Sequence, residues 1–429
     1  MSLPPSQKLP TRLLENLADY TLQDRVAGTL FGSALGDAIG LYTESLSAKQ
    51  SENSYPTRKF ILAPPANGTP FRHDHHRSQH ELGDWTDDTD HAMLILLSYL
   101  HDDGKKLSPL DFASRLRTWV EMGLRALDTL PLGLGQTIGT VVRATAFLED
   151  PEGTARDAWV KGMRDVAPNG SLMRTHPLGP MCLWRTLEET FEVAASFSVV
   201  THADPRCVVS CAIGTALIRG IIRGEVYEEK HIEELVAAAV TWYTRWRREK
   251  ERTDESRSKD PPLDLDELYR HTKANTLADL ELDDGPKIGY VYKTFGSGIL
   301  LLRQAMRQIA STNSIIRTPA SIFEPLITDL IMQGGDADTN ACFAGALLGA
   351  YLGFKALPLH WRDGLRHGEW LLSKSEALCM VLGIGRGSYS GVEDKDTHLD
   401  GGRGMLTKEQ MEERWMILQV KVAQEYHEQ

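Results

Sequence analysis

Asp24-Arg-Val-Ala-Gly28-Thr-Leu-Phe-Gly32-Ser-Ala-Leu-Gly36-Asp37-Ala-Ile-Gly40 places a glycine at every fourth residue, with Ala27, Ala34 and Ala38 beside them. At 3.6 residues per turn this spacing draws a smooth strip along one face of a helix. A glycine inside a helix costs about 1 kcal/mol relative to alanine, so a run of them needs a packing reason. Close crossing by a second helix supplies one, and the same spacing returns at Gly345, Gly349 and Gly353. The first helix ends near Glu44, so Asp37 and Glu44 are carried toward its C-terminal end; Asp37 also reads as a plain hydrogen-bonded helix residue, and Glu44 as a solvated loop acid.

Two acidic strings lie between these strips: Trp85-Thr86-Asp87-Asp88-Thr89-Asp90 and Gly334-Gly335-Asp336-Ala337-Asp338-Thr339-Asn340. Each opens an apolar helix. Either one alone is explained by helix capping, with Thr86 as N-cap and Asp87 and Asp88 favoured in the first turn by the helix dipole. Their repetition favours a different reading. Adjacent carboxylates repel unless a cation sits among them, and an all-oxygen set suits Mg²⁺ or Mn²⁺, so the strings read as two halves of one metal site.

Helical periodicity dominates the rest. The stretch 91–100 is apolar nearly all round, as a central helix should be, and helices are expected over 112–127, 191–201, 206–222, 231–247, 298–309 and 326–332. The fold class is all-α.

At this point the chain resembles the ADP-ribosylglycohydrolase family. The resemblance is carried, in order, by Gly36-Asp37-Ala38-Ile39-Gly40 followed by Glu44, Trp85-Thr86-Asp87-Asp88-Thr89, Asn169-Gly170-Ser171-Leu172-Met173-Arg174, Thr201-His202, and Gly335-Asp336-Ala337-Asp338-Thr339-Asn340. It implies a compact orthogonal helical domain with two Mg²⁺ ions in a central cleft, Mn²⁺ being an alternative. It also implies hydrolysis at the anomeric carbon of an ADP-ribosyl group, protein-linked or small. Thr86, Asp87, Asp88, Asp336, Asp338 and Thr339 would be metal ligands, and Glu44 or Asp88 the catalytic carboxylate. Asn169, Gly170 and Ser171 would touch the diphosphate and ribose, with His202 lining the same pocket. Competing readings are a phosphohydrolase acting on an ADP-ribose phosphate and an inactive ADP-ribose-binding protein. Tyr290 and Phe295 could offer a face to adenine, although core packing is the stronger reading.

With 429 residues and a net charge of −12, the chain is expected to offer no nucleic-acid or anionic-membrane surface. Residues 1–17 show no signal-peptide core, and 341–354 reads as a buried helix rather than a membrane span. Five cysteines without a Cys-x-x-Cys pair suggest a reducing, intracellular and cytoplasmic setting. Cys207 and Cys211 read as buried packing rather than metal ligands. One domain is expected over 1–384, with insertions at 45–83 and 245–285. The first insertion carries Arg72-His73-Asp74-His75-His76-Arg77 and His80, read as a solvated or substrate-facing loop in preference to a zinc site. The second holds the mixed-charge run 245–262, read as a helix end entering a mobile loop. An extension over 385–429 includes Thr407-x-x-Gln410, a capping box opening a helix with Met411, Trp415, Leu418 and Val422 on one face. Packing on the body is favoured for it over a dimer contact.

Overall fold

The computed structural model describes residues 11–62, 67–311 and 319–427. Among the described residues there are seventeen α-helices, short 3₁₀ turns and no strand beyond the isolated bridges Ser47–Gly334 and Pro168–Tyr290. Five helices frame the site: α1 (Thr11–Gly40), α2 (Asp87–His101), α3 (Pro205–Ile222), α4 (Val291–Ala310) and α5 (Ala337–Leu352).

The glycine strips are the seam between α1 and α5. A Cβ built on Gly28 would lie 2.3 Å from Gly349 O, on Gly32 2.2 Å from Gly345 O, on Gly36 1.9 Å from Ala341 O, and on Gly40 2.2 Å from Asp338 Cα. Residue numbers rise along one helix as they fall along the other, so the pair runs antiparallel with backbone against backbone. The C-terminal end of α1, bearing Asp37, therefore meets the N-terminal end of α5, bearing Asp338. Gly353 also backs onto Gly28, whose added Cβ would lie 2.9 Å from Gly353 C; its φ of 87° ends α5, and a Cβ on it would meet Asp24 Oδ2 at 2.0 Å.

Helix α2 is buried on every side from Asp87 to Leu100, and α3 from Cys207 to Ile222. Helix α3 is long and apolar enough to cross a membrane, but 94% of it lies inside the molecule. All five cysteines are buried free thiols. The remaining expected helices appear at Pro109–Met122, Leu187–Ser198, Glu229–Thr253 and Phe323–Ile331. The first stops earlier than its periodicity suggested, because Gly123 turns the chain at φ 76°, close against Thr129 O.

The described residues of both segments, 45–83 and 245–285, make contacts with the rest of the molecule. In 45–83, the buried Arg77 donates to Tyr42 O at 3.0 Å and pairs with Asp74 at 2.5 Å. The charged run expected to be mobile is instead tied down: Asp260 pairs with Arg156 at 2.6 Å and Arg164 at 3.2 Å, and Glu152 with Lys250 at 2.8 Å and Arg257 at 2.7 Å. In the extension, Thr407 N donates to Gln410 Oε1 at 2.8 Å and Gln410 N to Thr407 Oγ1 at 3.3 Å, opening the helix Lys408–His427. That helix buries Met411 and Val422 on the body and donates from Arg414 to Asp128 O at 3.3 Å.

Candidate metal centre and its cleft

The first half of the site is built on Asp37. This buried carboxylate accepts from Thr86 N at 3.0 Å, Thr86 Oγ1 at 2.9 Å, Thr89 N at 3.0 Å and Thr89 Oγ1 at 2.6 Å. It thereby satisfies amide donors that the start of α2 leaves free and fixes where Asp87 and Asp88 project. Burial pushes its carboxyl up to about 6, with the four hydrogen bonds opposing the rise.

The second half depends on Gly334 and Gly335, at φ 69° and 71°, which lie against Leu46 O and Leu282 O. A Cβ at either position would approach those oxygens to 2.1 and 2.0 Å, so only glycine fits. Ser45 N donates to Gly335 O at 2.6 Å and Gly335 N to Leu46 O at 2.8 Å. These bonds hold Glu44 beside Asp336.

The two halves converge. Asp37, Asp88 and Asp338 each bring one oxygen within 4.8 Å of the others, and so do Glu44, Asp336 and Asp338. Asp338 belongs to both triads. Thr86, Asp87 and Thr339 line the same cleft, but Asp87 stands outside the triads, its Oδ1 so close to Gly133 that a Cβ there would lie 2.3 Å away. Gly133, at φ 81°, is thus a requirement of the site that no sequence motif announced.

Burial and then neighbouring charge raise these carboxyls above their ordinary range: Asp87 beside Asp88, Asp88 beside Asp37 and Asp336, Asp338 beside Glu44 and Asp88, and Asp336 beside Glu44. Asp88 Oδ1 is buried without a hydrogen-bond partner. An orphaned carboxylate oxygen amid like charges fits a hard divalent cation. Glu44 behaves differently. Burial would raise it, but the bond and charge of His76, whose Nε2 contacts Glu44 Oε2, hold it below its ordinary value. Arg77 also binds the Glu44 carbonyl. The turn that carries His76 and His80 therefore borders the site, both histidines lining the cleft. Among the described residues, no histidine joins a group of three close metal-binding side chains.

The cleft has a volume of about 680 Å³. Asn169 lines it and also donates to Asp336 Oδ2 and Thr294 Oγ1, each at 2.9 Å. Gly170 packs beside His202: a Cβ there would be 3.2 Å from His202 Cε1. Ser171, expected to touch ligand, points elsewhere. It is fully buried and bonded to Ser198 Oγ at 3.1 Å and Cys211 Sγ at 3.4 Å. The segment Asn169–Ser171 is a 3₁₀ turn, whose three residues per turn send successive side chains in different directions. Tyr290 lines the cleft with the Arg206 guanidinium 5.5 Å from its ring centre, whereas Phe295 is buried in the core.

A family model for ADP-ribosylglycohydrolase matches residues 18–386. The chain is 24% identical over 356 residues to the ADP-ribosylarginine hydrolase Tri1 of Serratia proteamaculans, covering 83% of this chain and 79% of that one. It is 24% identical over 358 residues to an uncharacterized protein of Archaeoglobus fulgidus, covering 82% and 94% of the two. A solved structure described as an ADP-ribosylglycohydrolase-related protein complex superposes with a TM-score of 0.51 at 21% identity, covering 84% of this chain and 98% of that one. The all-α fold and the family match are those of a hydrolase of the ADP-ribosylglycohydrolase type. The chain belongs to the ADP-ribosylglycohydrolase family.

Proposed function

We propose that the protein is a Mg²⁺-dependent hydrolase that cleaves an ADP-ribosyl linkage at the anomeric carbon of the distal ribose. The observation that carries this reading is the pair of carboxylate triads sharing Asp338, with Asp88 of the first triad keeping a buried, unpartnered Oδ1. Asp88, Asp336 and Asp338, with Asp87, Thr86 and Thr339 around them, would hold two ions. Such ions supply orientation of ribose hydroxyls and water, and a lowered water pKa.

The chain's own groups divide the remaining work. In the reaction the bond from the anomeric carbon to the acceptor breaks, a bond to a water oxygen forms, one water proton goes to a base, and the acceptor leaves protonated. Glu44 is the better base of the two candidates, because Asp88 would be engaged as a metal ligand, while the bond and charge of His76 hold Glu44 below its ordinary carboxylate range. Asn169 orients Asp336. Gly170 leaves room for ligand against His202, and Tyr290 with Arg206 forms a planar rim suited to a purine. An arginine linkage is the first substrate to test, supported by the activity named for the Serratia relative and by Asp165 and Glu267 at the cleft, which suit a guanidinium.

The experiment is a panel of ADP-ribosylated peptides, linked through arginine or serine, with small ADP-ribose derivatives including a phosphate, assayed with Mg²⁺, Mn²⁺ and EDTA. Metal-dependent release of ADP-ribose supports the reading. Binding of ADP-ribose with no turnover of any linkage would replace it with a binding protein, and release of phosphate alone would replace it with a phosphohydrolase.

A further inference from the structure

Behind the cleft wall, three side chains are joined in series. Arg174 is fully buried, its guanidinium 4.9 Å from the centre of the Phe112 ring. Its Nη2 donates to Phe197 O at 3.1 Å and to Thr201 Oγ1 at 2.7 Å. A guanidinium can only donate, so Thr201 Oγ1 is the acceptor there and its own proton must go elsewhere. The partner in reach is His202 Nδ1, at 2.7 Å. Were Nδ1 protonated, Thr201 Oγ1 would face two donors, and its own hydroxyl proton, in a residue 1% exposed, would be stranded. Nδ1 therefore accepts, and the single ring proton sits on Nε2. Burial, and then the Arg174 charge, oppose a second proton. Nε2 has no partner in the protein, and a Cβ on cleft-lining Gly170 would come within 3.3 Å of it.

We infer that Arg174 and Thr201 are positioning residues that lock His202 as a neutral Nε2–H donor, aimed at an oxygen of whatever ligand fills the cleft. His202 then serves as a fixed donor to substrate and takes no proton from water. Arg174 acts through its bond to Thr201 and through its charge, without touching the ligand. The choice of ADP-ribose as probe rests on the proposed function; the protonation pattern does not.

The test is ¹⁵N NMR of the histidine rings of the full chain at pH 7, with the His202 signals assigned by their loss in His202→Asn, beside calorimetric titration of ADP-ribose. The unaltered chain should show Nε2 protonated and Nδ1 bare. Thr201→Ser keeps the hydroxyl and should preserve both this pattern and affinity. Thr201→Val should mix the two tautomers and weaken ADP-ribose by the Nε2–H fraction lost, about twofold for an even mixture and about tenfold where only a tenth keeps the proton on Nε2. A proton on Nδ1 in the unaltered chain, or a Thr201→Val variant with the original pattern and affinity, overturns the inference. The first of these measurements needs only the His202→Asn reference to fold, and none of the Thr201 variants. If the pattern is as expected and ADP-ribose binds to no form of the protein, the relay stands and the proposed ligand falls.

Discussion

Replacing Gly36 with alanine tests the helix crossing on which the site depends. The new methyl carbon would lie 1.9 Å from Ala341 O and 2.4 Å from Ala341 C, against an ordinary contact of 3.4–4 Å. Both obstacles are backbone, so no side chain can swing aside, and α1 and α5 must part by on the order of 1.5 Å in an interior packed as densely as a crystal. Alanine regains about 1 kcal/mol of helix propensity. Overpacking costs about 1–3 kcal/mol and more where backbone must move, and the neighbouring glycine contacts at Gly32 and Gly40 loosen with it. A net loss of about 1–3 kcal/mol is expected. The parting also carries Asp37 away from Asp338, so Mg²⁺ should stabilise the variant less than the parent. Urea unfolding with Mg²⁺ and with EDTA measures both effects. Gly285→Ala serves as control, because a Cβ there meets nothing within 4 Å. A Gly36→Ala protein as stable as the parent, with an undiminished response to Mg²⁺, would refute the reasoning.

Asp338→Asn removes the charge shared by both triads, so turnover should fall by about 10²-fold or more while circular dichroism stays that of the parent; equal rates would separate Asp338 from the chemistry. Mg²⁺ at about a hundredfold over its Kd should add about 2.7 kcal/mol to stability, and identical melting curves in EDTA and Mg²⁺ would count against a metal centre. With Asp37 pushed up to about 6 and Asp90 to about 7, the metal-free folded protein holds protons that the unfolded chain releases near pH 4, so these groups stabilise at low pH and that contribution is lost as pH rises through 6 to 7. The gap in urea midpoint between Mg²⁺ and EDTA should therefore widen from pH 5 to pH 7.5; a constant gap would contradict the raised carboxyls. His76→Ala frees Glu44 and should lower kcat about tenfold or more with little change in melting temperature, whereas an unchanged kcat would remove Glu44's partner from the mechanism.

The fold and the acidic cluster were legible because both are written in local spacing. Four-residue glycine periodicity states how close a neighbouring helix comes, and the two repeated acid-hydroxyl strings point to one shared acidic cluster. What stayed hidden depends on contacts far along the chain. Asp37 looked like a helix residue because its partners, Thr86 and Thr89, lie beyond an insertion. Gly133 is an isolated glycine until Asp87 is seen against it. His76 belongs to a histidine-rich loop read as solvated or substrate-facing, and it does line the cleft; its hold on Glu44, set by Arg77 pinned to Tyr42 O, is what the spacing did not give. Ser171 was misplaced because its motif gives order along the chain and not the pitch of the turn that carries it.

The antiparallel seam also has a kinetic side. It joins α1, near the start of the chain, to α5, beyond residue 336, so neither triad can form until a very large loop has closed. Closing such a loop is entropically slow, and contacts of this range form late in folding. During synthesis the first acidic string emerges long before the second, and it waits without its counterpart until the end of α5 has been made. Metal uptake should thus mark the final stage of maturation, and a chain cut anywhere between the strings should lose cation affinity even where its separate helices survive.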